Sequence, residues 1–182
     1  VNKSNQRLTF NGLANASKLE TIDITNIQNA DSLDGLKTLL NIRKVYAKGT
    51  SIANFTFANG AMIETLELPK TVETLSLTRS SSIDYSGIKI EGGGYGKLLN
   101  LTIDNCSKLM RDPDFVLGWV FSYKEEDRSK LSLNLQGINW KFTMENYMNL
   151  FLLENVGTST IAKREIRGTI EIPFSLDADT II

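Results

Sequence analysis

The chain contains no histidine and only one cysteine, Cys106. The first absence excludes imidazole acid–base catalysis, the Ser-His-Asp and Cys-His nucleophile systems and the usual zinc sites. The second excludes an intramolecular disulfide. There is no apolar run long enough to cross a bilayer, and the polar opening of residues 1–7 lacks the charged-then-apolar order of a signal peptide. A leader removed earlier, or a longer parent chain, is compatible with this start. Lys and Arg number 20 against 21 Asp and Glu, a formal charge of -1. That balance lacks the basic excess of a nucleic-acid binder, so no nucleic-acid partner is expected. The 182 residues suffice for one domain with a buried core.

Leu (23) and Ile (17) far outnumber Val (6), and Asn, Ser and Thr together make 47 residues. Abundant leucine beside abundant asparagine directs attention to repeats. An apolar-x-x-apolar-x-apolar pattern recurs at Leu19-Ile22-Ile24, Ile42-Val45-Ala47, Ile63-Leu66-Leu68, Val72-Leu75-Leu77 and Leu98-Leu101-Ile103. A sixth copy, Lys130-Leu133-Leu135, has a charge in its first apolar place. The last two apolar residues of each copy, two apart, share one face of a short strand. The first lies at the incoming turn. An Asn, Thr or Cys after the strand is placed to satisfy turn backbone, as Cys106 is after Ile103. A structural role for that thiol is therefore expected.

The middle residues of the copies are separated by 23, 21, 9, 26 and 32 positions. Twenty-odd residues suit one turn of a repeat coil; nine do not. Pro69 ends one strand, and a second begins within four residues, so the return segment at that point is expected to be extended. The two long steps require insertions. Asp112-Pro113-Asp114 reads as a helix start, with Asp112 capping and Pro113 at the first helical position. Val116, Leu117, Val120 and Phe121 follow at helical spacing, and the helix is expected to end in the charge run 124–128. Thr143 caps a second helix, with Met144, Tyr147, Met148, Phe151 and Leu152 on its inward face. A shorter helix is expected over 32–40, and a last strand over 168–173.

The candidate chemistry is thin. The Gly-rich loop from Glu91 to Lys97 is followed by Leu98 rather than Ser or Thr opening a helix, so it is no phosphate cradle. Tyr95 at its tip is a candidate contact residue. The acid pairs Asp112/Asp114 and Asp177/Asp179 lack the ligand series of a calcium loop. Neither a metal nor a cofactor is expected. Asn-x-Ser/Thr triplets at Asn2, Asn15, Asn54, Asn100 and Asn105 reflect composition rather than glycosylation.

The stretch Leu66-Glu67-Leu68-Pro69-Lys70-Thr71-Val72 resembles the Leu-x-x-Ile-x-Ile-Pro-x-x-Val pattern of BspA-type leucine-rich repeats of bacterial and protist surfaces. Leu133-Asn134-Leu135-Gln136-Gly137-Ile138-Asn139-Trp140, with a helix and then Arg167-Gly168-Thr169-Ile170, resembles leucine-rich domains in tail and other virion proteins of gut bacteriophages. The likeness covers about residues 8 to 175. The regular Ala-Phe-x-x-Cys element of the surface arrays is missing, which favours the phage family.

The expectation is therefore an α/β fold: a leucine-rich-repeat-like solenoid, with a parallel sheet of short strands and two helices in enlarged C-terminal repeats. Residues 1–182 form a single domain, a fragment of a longer chain, with Ile22, Val45, Leu66, Leu101 and Leu133 stacked in one column. The resemblance implies a non-enzymatic structural or interaction module of a phage particle, a tail, spike or adsorption component located on the virion. Its partners would be other virion proteins or a host-surface protein or glycan. The alternative is a bacterial cell-surface adhesin binding a host protein or glycan. Outward strand positions are the natural contacts: Thr21 and Asp23, Lys44 and Tyr46, Thr65 and Glu67, Thr74 and Ser76, Asn100 and Thr102, joined by Tyr95.

Overall fold

The computed structural model describes residues 8–111, 113–140 and 144–162. Among the described residues there are eleven short strands: β1 (Leu8–Thr9), β2 (Thr21–Asp23), β3 (Ala30–Ser32), β4 (Lys44–Tyr46), β5 (Asn54–Thr56), β6 (Thr65–Leu68), β7 (Thr74–Thr78), β8 (Ile88–Ile90), β9 (Asn100–Asp104), β10 (Ser132–Gln136) and β11 (Thr158–Ala162). Two α-helices interrupt the later strands, α1 (Asp114–Phe121) and α2 (Met144–Glu154). All strand pairing is parallel. The fold is α/β with two main sheets, ordered β2-β4-β6-β8 and β5-β7-β9-β10-β11, beside a small β1-β3 pair.

Two sheets replace the single column expected from the triplets. Ile22, Val45, Leu66 and Ile88 stand in register across the first sheet. Phe55, Leu75, Leu101 and Leu133 do so across the second. The reason is the extended return at Pro69. From β4 to β9 the chain alternates between sheets, so the nine-residue step is a passage from one sheet to the other. Within the first sheet the intervals become 23, 21 and 22.

Strand period two explains the burial. In β7, Leu75 and Leu77 are wholly buried, while Thr74, Ser76 and Thr78 are partly exposed. The inward residues of both sheets join one apolar core with Trp119, Leu109 and Cys106. Outside the strands, backbone steps from turn to turn: Arg43 N and Lys44 N both donate to Glu20 O, and Glu64 N and Thr65 N both donate to Arg43 O. Each turn thereby satisfies the next.

Local expectations meet mixed outcomes. Helix α1 begins at Asp114 with Pro113 as its cap residue; Asp112 lies outside the described residues. The helix ends at Phe121, and the charge run that was to finish it forms a separate 3-10 turn over Glu125–Lys130. The helical stretch expected over 32–40 is a 3-10 helix over Asp34–Thr38. Its Gly35 packs beneath Leu13, where a Cβ would come within 2.7 Å of the Leu13 Cβ.

Helix α2 is present, but its buried side chains include Leu150 and Leu153, whereas Met148, Phe151 and Leu152 are exposed. Of the predicted inward face, Met148, Phe151 and Leu152 are therefore outward, and Leu150 and Leu153, with Val156 just beyond the helix, are buried instead. Thr143 and the expected strand over 168–173 lie outside the described residues. Strand β11 itself, Thr158-Ser159-Thr160-Ile161-Ala162, was not anticipated. Among the described residues, no helix is long and apolar enough to cross a membrane.

Candidate functional site

The outward residues proposed as contacts fall on two separate sheet faces. Thr21, Lys44 and Thr65 form one row of the first sheet, and Asp23, Tyr46, Glu67 and the unanticipated Lys89 form the next. This face is charged and self-paired at its margins. Lys48 Nζ lies 2.8 Å from Glu67 Oε2, and Arg43 Nη1 lies 2.5 Å from Glu64 Oε1.

The second sheet is different. Thr74 and Asn100 belong to a row running Asn54, Thr74, Asn100, Ser132, Thr158. Ser76 and Thr102 belong to the next, running Thr56, Ser76, Thr102, Asn134, Thr160. Thr78, Asp104 and Gln136 begin a third. Hydroxyls and amides link along it: Asn100 Nδ2 donates to Thr74 Oγ1 at 3.3 Å, and Gln136 Nε2 to Asn134 Oδ1 at 2.9 Å. Adjacent strands in such a sheet stand about 4.8 Å apart, so the five present a face about 19 Å wide. Asp104 bears the one charge among these thirteen outward residues. At the chain's 23% charged composition, about three would be expected.

The rows that were missed had a legible signal. Ile52-x-x-Phe55-x-Phe57 and Tyr85-x-x-Ile88-x-Ile90 repeat the triplet spacing, and Val156-x-x-Ser159-x-Ile161 does so with a serine in the middle place.

Tyr95 is not a projecting loop tip. Its ring meets Phe115 edge-on at 5.4 Å between centroids, and Phe115 stacks on Tyr85 at 4.9 Å. The hydroxyl lies against Gly118 in α1. Burial, aided by the charge of Asp114, raises the phenol pKa. Tyr95 is therefore half-buried, packed against α1.

The Gly-rich loop is organised by its first residue. Glu91 Oε2 accepts from Gly49 N at 3.1 Å and Lys70 N at 3.3 Å, and these two backbone donors lower its pKa. The carboxylate thus ties three turns at one end of the first sheet. Cys106 is wholly buried, its thiol aimed at Leu77 O at 3.5 Å. Burial raises its pKa to about 11, so the thiol is neutral and unreactive at physiological pH. Among the described residues, no group of three or more His, Cys, Asp or Glu could hold a metal ion.

No protein-family model, curated protein or solved structure matches this chain.

Proposed function

We propose that the chain is an irregular leucine-rich-repeat-like solenoid acting as a non-enzymatic interaction module of a bacteriophage particle. In this reading it belongs to a tail, spike or adsorption element, and its second sheet contacts a glycan of the host surface. The alternation of strands between two sheets at intervals of 21 to 23 residues in the first sheet supports the coil. The observation that carries the interaction reading is the nearly uncharged face of aligned Thr, Ser and Asn side chains. A face kept only for solubility would be expected to carry mixed Lys and Glu. Rows of hydroxyls and amides instead offer paired donors and acceptors to a hydroxylated polymer.

The experiment is an array of bacterial surface polysaccharides probed with the wild-type domain, Thr102→Lys/Asn134→Lys and the first-sheet control Lys89→Gln. Binding by wild type and the control, lost in the double variant, supports the reading. Absence of binding, or binding unaffected by the double variant, overturns the glycan contact. Location is tested separately by immunogold labelling with an antibody to the domain. Labelled phage particles support a virion component; label confined to bacterial envelopes overturns it.

A further inference from the structure

The turns after six strands, β2, β4, β7, β8, β9 and β10, share one backbone conformation, and one of them carries a long side chain in it. Three positions after the outward residues Asp23, Tyr46, Lys89, Ser76, Thr102 and Asn134 stand Asn26, Gly49, Gly92, Arg79, Asn105 and Gly137, all with positive φ. Glycine and asparagine suit that left-handed backbone; a long side chain is disfavoured there. Arg79, at φ 52°, is held in it by its N–H, which donates to Asp104 O at 2.7 Å. The next turn repeats the bond, Asn105 N to Gln136 O at 2.8 Å. A disfavoured residue held in place by an otherwise regular ladder points to a role for its side chain.

That side chain lines a hollow of about 440 Å³ at the ends of β7, β9 and β10. Arg111 lines it too, as do Asn105, Ser107, Met110, Gly137 and Asn139. Backbone bonds brace that wall: Met110 N donates to Cys106 O, and Asn139 N to Met110 O. Arg43 and Lys130 are paired with acids, but neither the Arg79 nor the Arg111 guanidinium has an ion-pair or hydrogen-bond partner among the described residues. No carboxylate among them lines the hollow. Asp104, at its margin, engages Asn105 Nδ2 at 2.6 Å.

We propose that this hollow binds an acidic sugar, its carboxylate held by Arg79 and Arg111 and its hydroxyls by Asn105, Ser107 and Asn139. Two planar guanidinium groups match a carboxylate geometrically, and neutral amide and hydroxyl groups on the same lining match a polyol rather than an apolar acid. The volume falls within the range of small-molecule sites. The assignment stands on the two arginines and is independent of the sheet-face reading.

The test is a titration of the ¹⁵N-labelled domain with methyl glucuronide, methyl glucoside and inorganic phosphate, followed through its amide resonances. Methyl glucuronide is expected to shift Asn105, Ser107 and Asn139 with millimolar affinity, and the neutral glucoside to bind roughly ten-fold more weakly or worse. Arg79→Asn, which keeps a residue suited to the turn, and Arg111→Gln are each expected to weaken glucuronide binding roughly ten-fold. Lys89→Gln should leave it unchanged, and spectra without ligand verify folding of each variant. Failure of glucuronide to bind, equal binding of the glucoside, or indifference to both arginine substitutions overturns the site. Phosphate binding as tightly as glucuronide overturns the sugar assignment. A negative polysaccharide array beside positive glucuronide binding defeats only the sheet-face reading, and the converse defeats only this one.

Discussion

Trp119 and Tyr123 donate to the same acceptor: Trp119 Nε1 lies 2.8 Å and Tyr123 Oη 2.6 Å from the carbonyl oxygen of Leu98. Leu98 is the first apolar residue of the triplet that runs into β9. One carbonyl thus anchors the inserted helical segment to the strand stack, and its two lone pairs are both used.

This sharing makes a non-additive prediction. Tyr123→Phe leaves the carbonyl one donor and is expected to cost about 1 kcal/mol. Trp119→Phe removes the other donor along with buried indole volume, at about 1–3 kcal/mol. The double variant strands a buried carbonyl, so its loss should exceed the sum by about 1 kcal/mol. Urea unfolding of the four proteins measures the coupling; simple additivity would show that the shared acceptor is irrelevant.

Gly118 gives a prediction whose sign depends on a neighbour. Gly to Ala within a helix normally stabilises by up to about 1 kcal/mol. Here the new Cβ would meet the Tyr95 hydroxyl. Gly118→Ala should therefore be neutral or destabilising in the wild type, and shifted toward stabilisation once Tyr95→Phe has removed the oxygen, although the ring carbon Cζ still lies 3.2 Å from the new Cβ. Thermal denaturation of both pairs decides it, and an equal effect in the two backgrounds counts against the contact.

Cys106 predicts an alkaline weakness. Its folded pKa, about 11, lies above its ordinary value of 9.0. The folded state therefore holds the thiol proton more tightly than the unfolded chain does. The associated stability is fully present below pH 9 and is lost as pH rises toward 11, a difference of about 3 kcal/mol. Cys106→Ala should show a shallower decline over that window. Iodoacetamide should label Cys106 only under denaturing conditions; rapid labelling of the native protein would contradict its burial.

The left-handed turn at Arg79 predicts that ligand-free stability rises on substitution. Arg79→Asn replaces a disfavoured residue with one that tolerates positive φ, and about 1 kcal/mol should be recovered. A fall in the melting temperature would indicate instead that the arginine side chain supports the fold.

The triplets show how far the strand pattern could be followed without coordinates. Leu75-x-Leu77 and Leu101-x-Ile103 announce strands with one buried face, and Pro69 announces that the chain must turn without a helix. The same spacing at Ile52-Phe55-Phe57 and Tyr85-Ile88-Ile90 is equally visible, but each sits so soon after another copy that a single-column picture leaves it no place. Adding those strands removes the irregular step and divides the contact residues between two faces. Tyr95 eluded such reasoning for another reason: glycines around an aromatic residue describe a loop and are silent on the helix that covers it.

Strand alternation, inward and outward residues, the position of both helices and the inertness of the lone thiol follow from side-chain chemistry along the chain, because burial period and turn preference are local properties. Which sheet each strand joins, which side chains of α2 are covered, and the presence of Arg79 and Arg111, 32 positions apart, on the lining of one hollow were decided only by the folded molecule. Those relations depend on where the chain crosses from one sheet to the other, and no local preference records that choice.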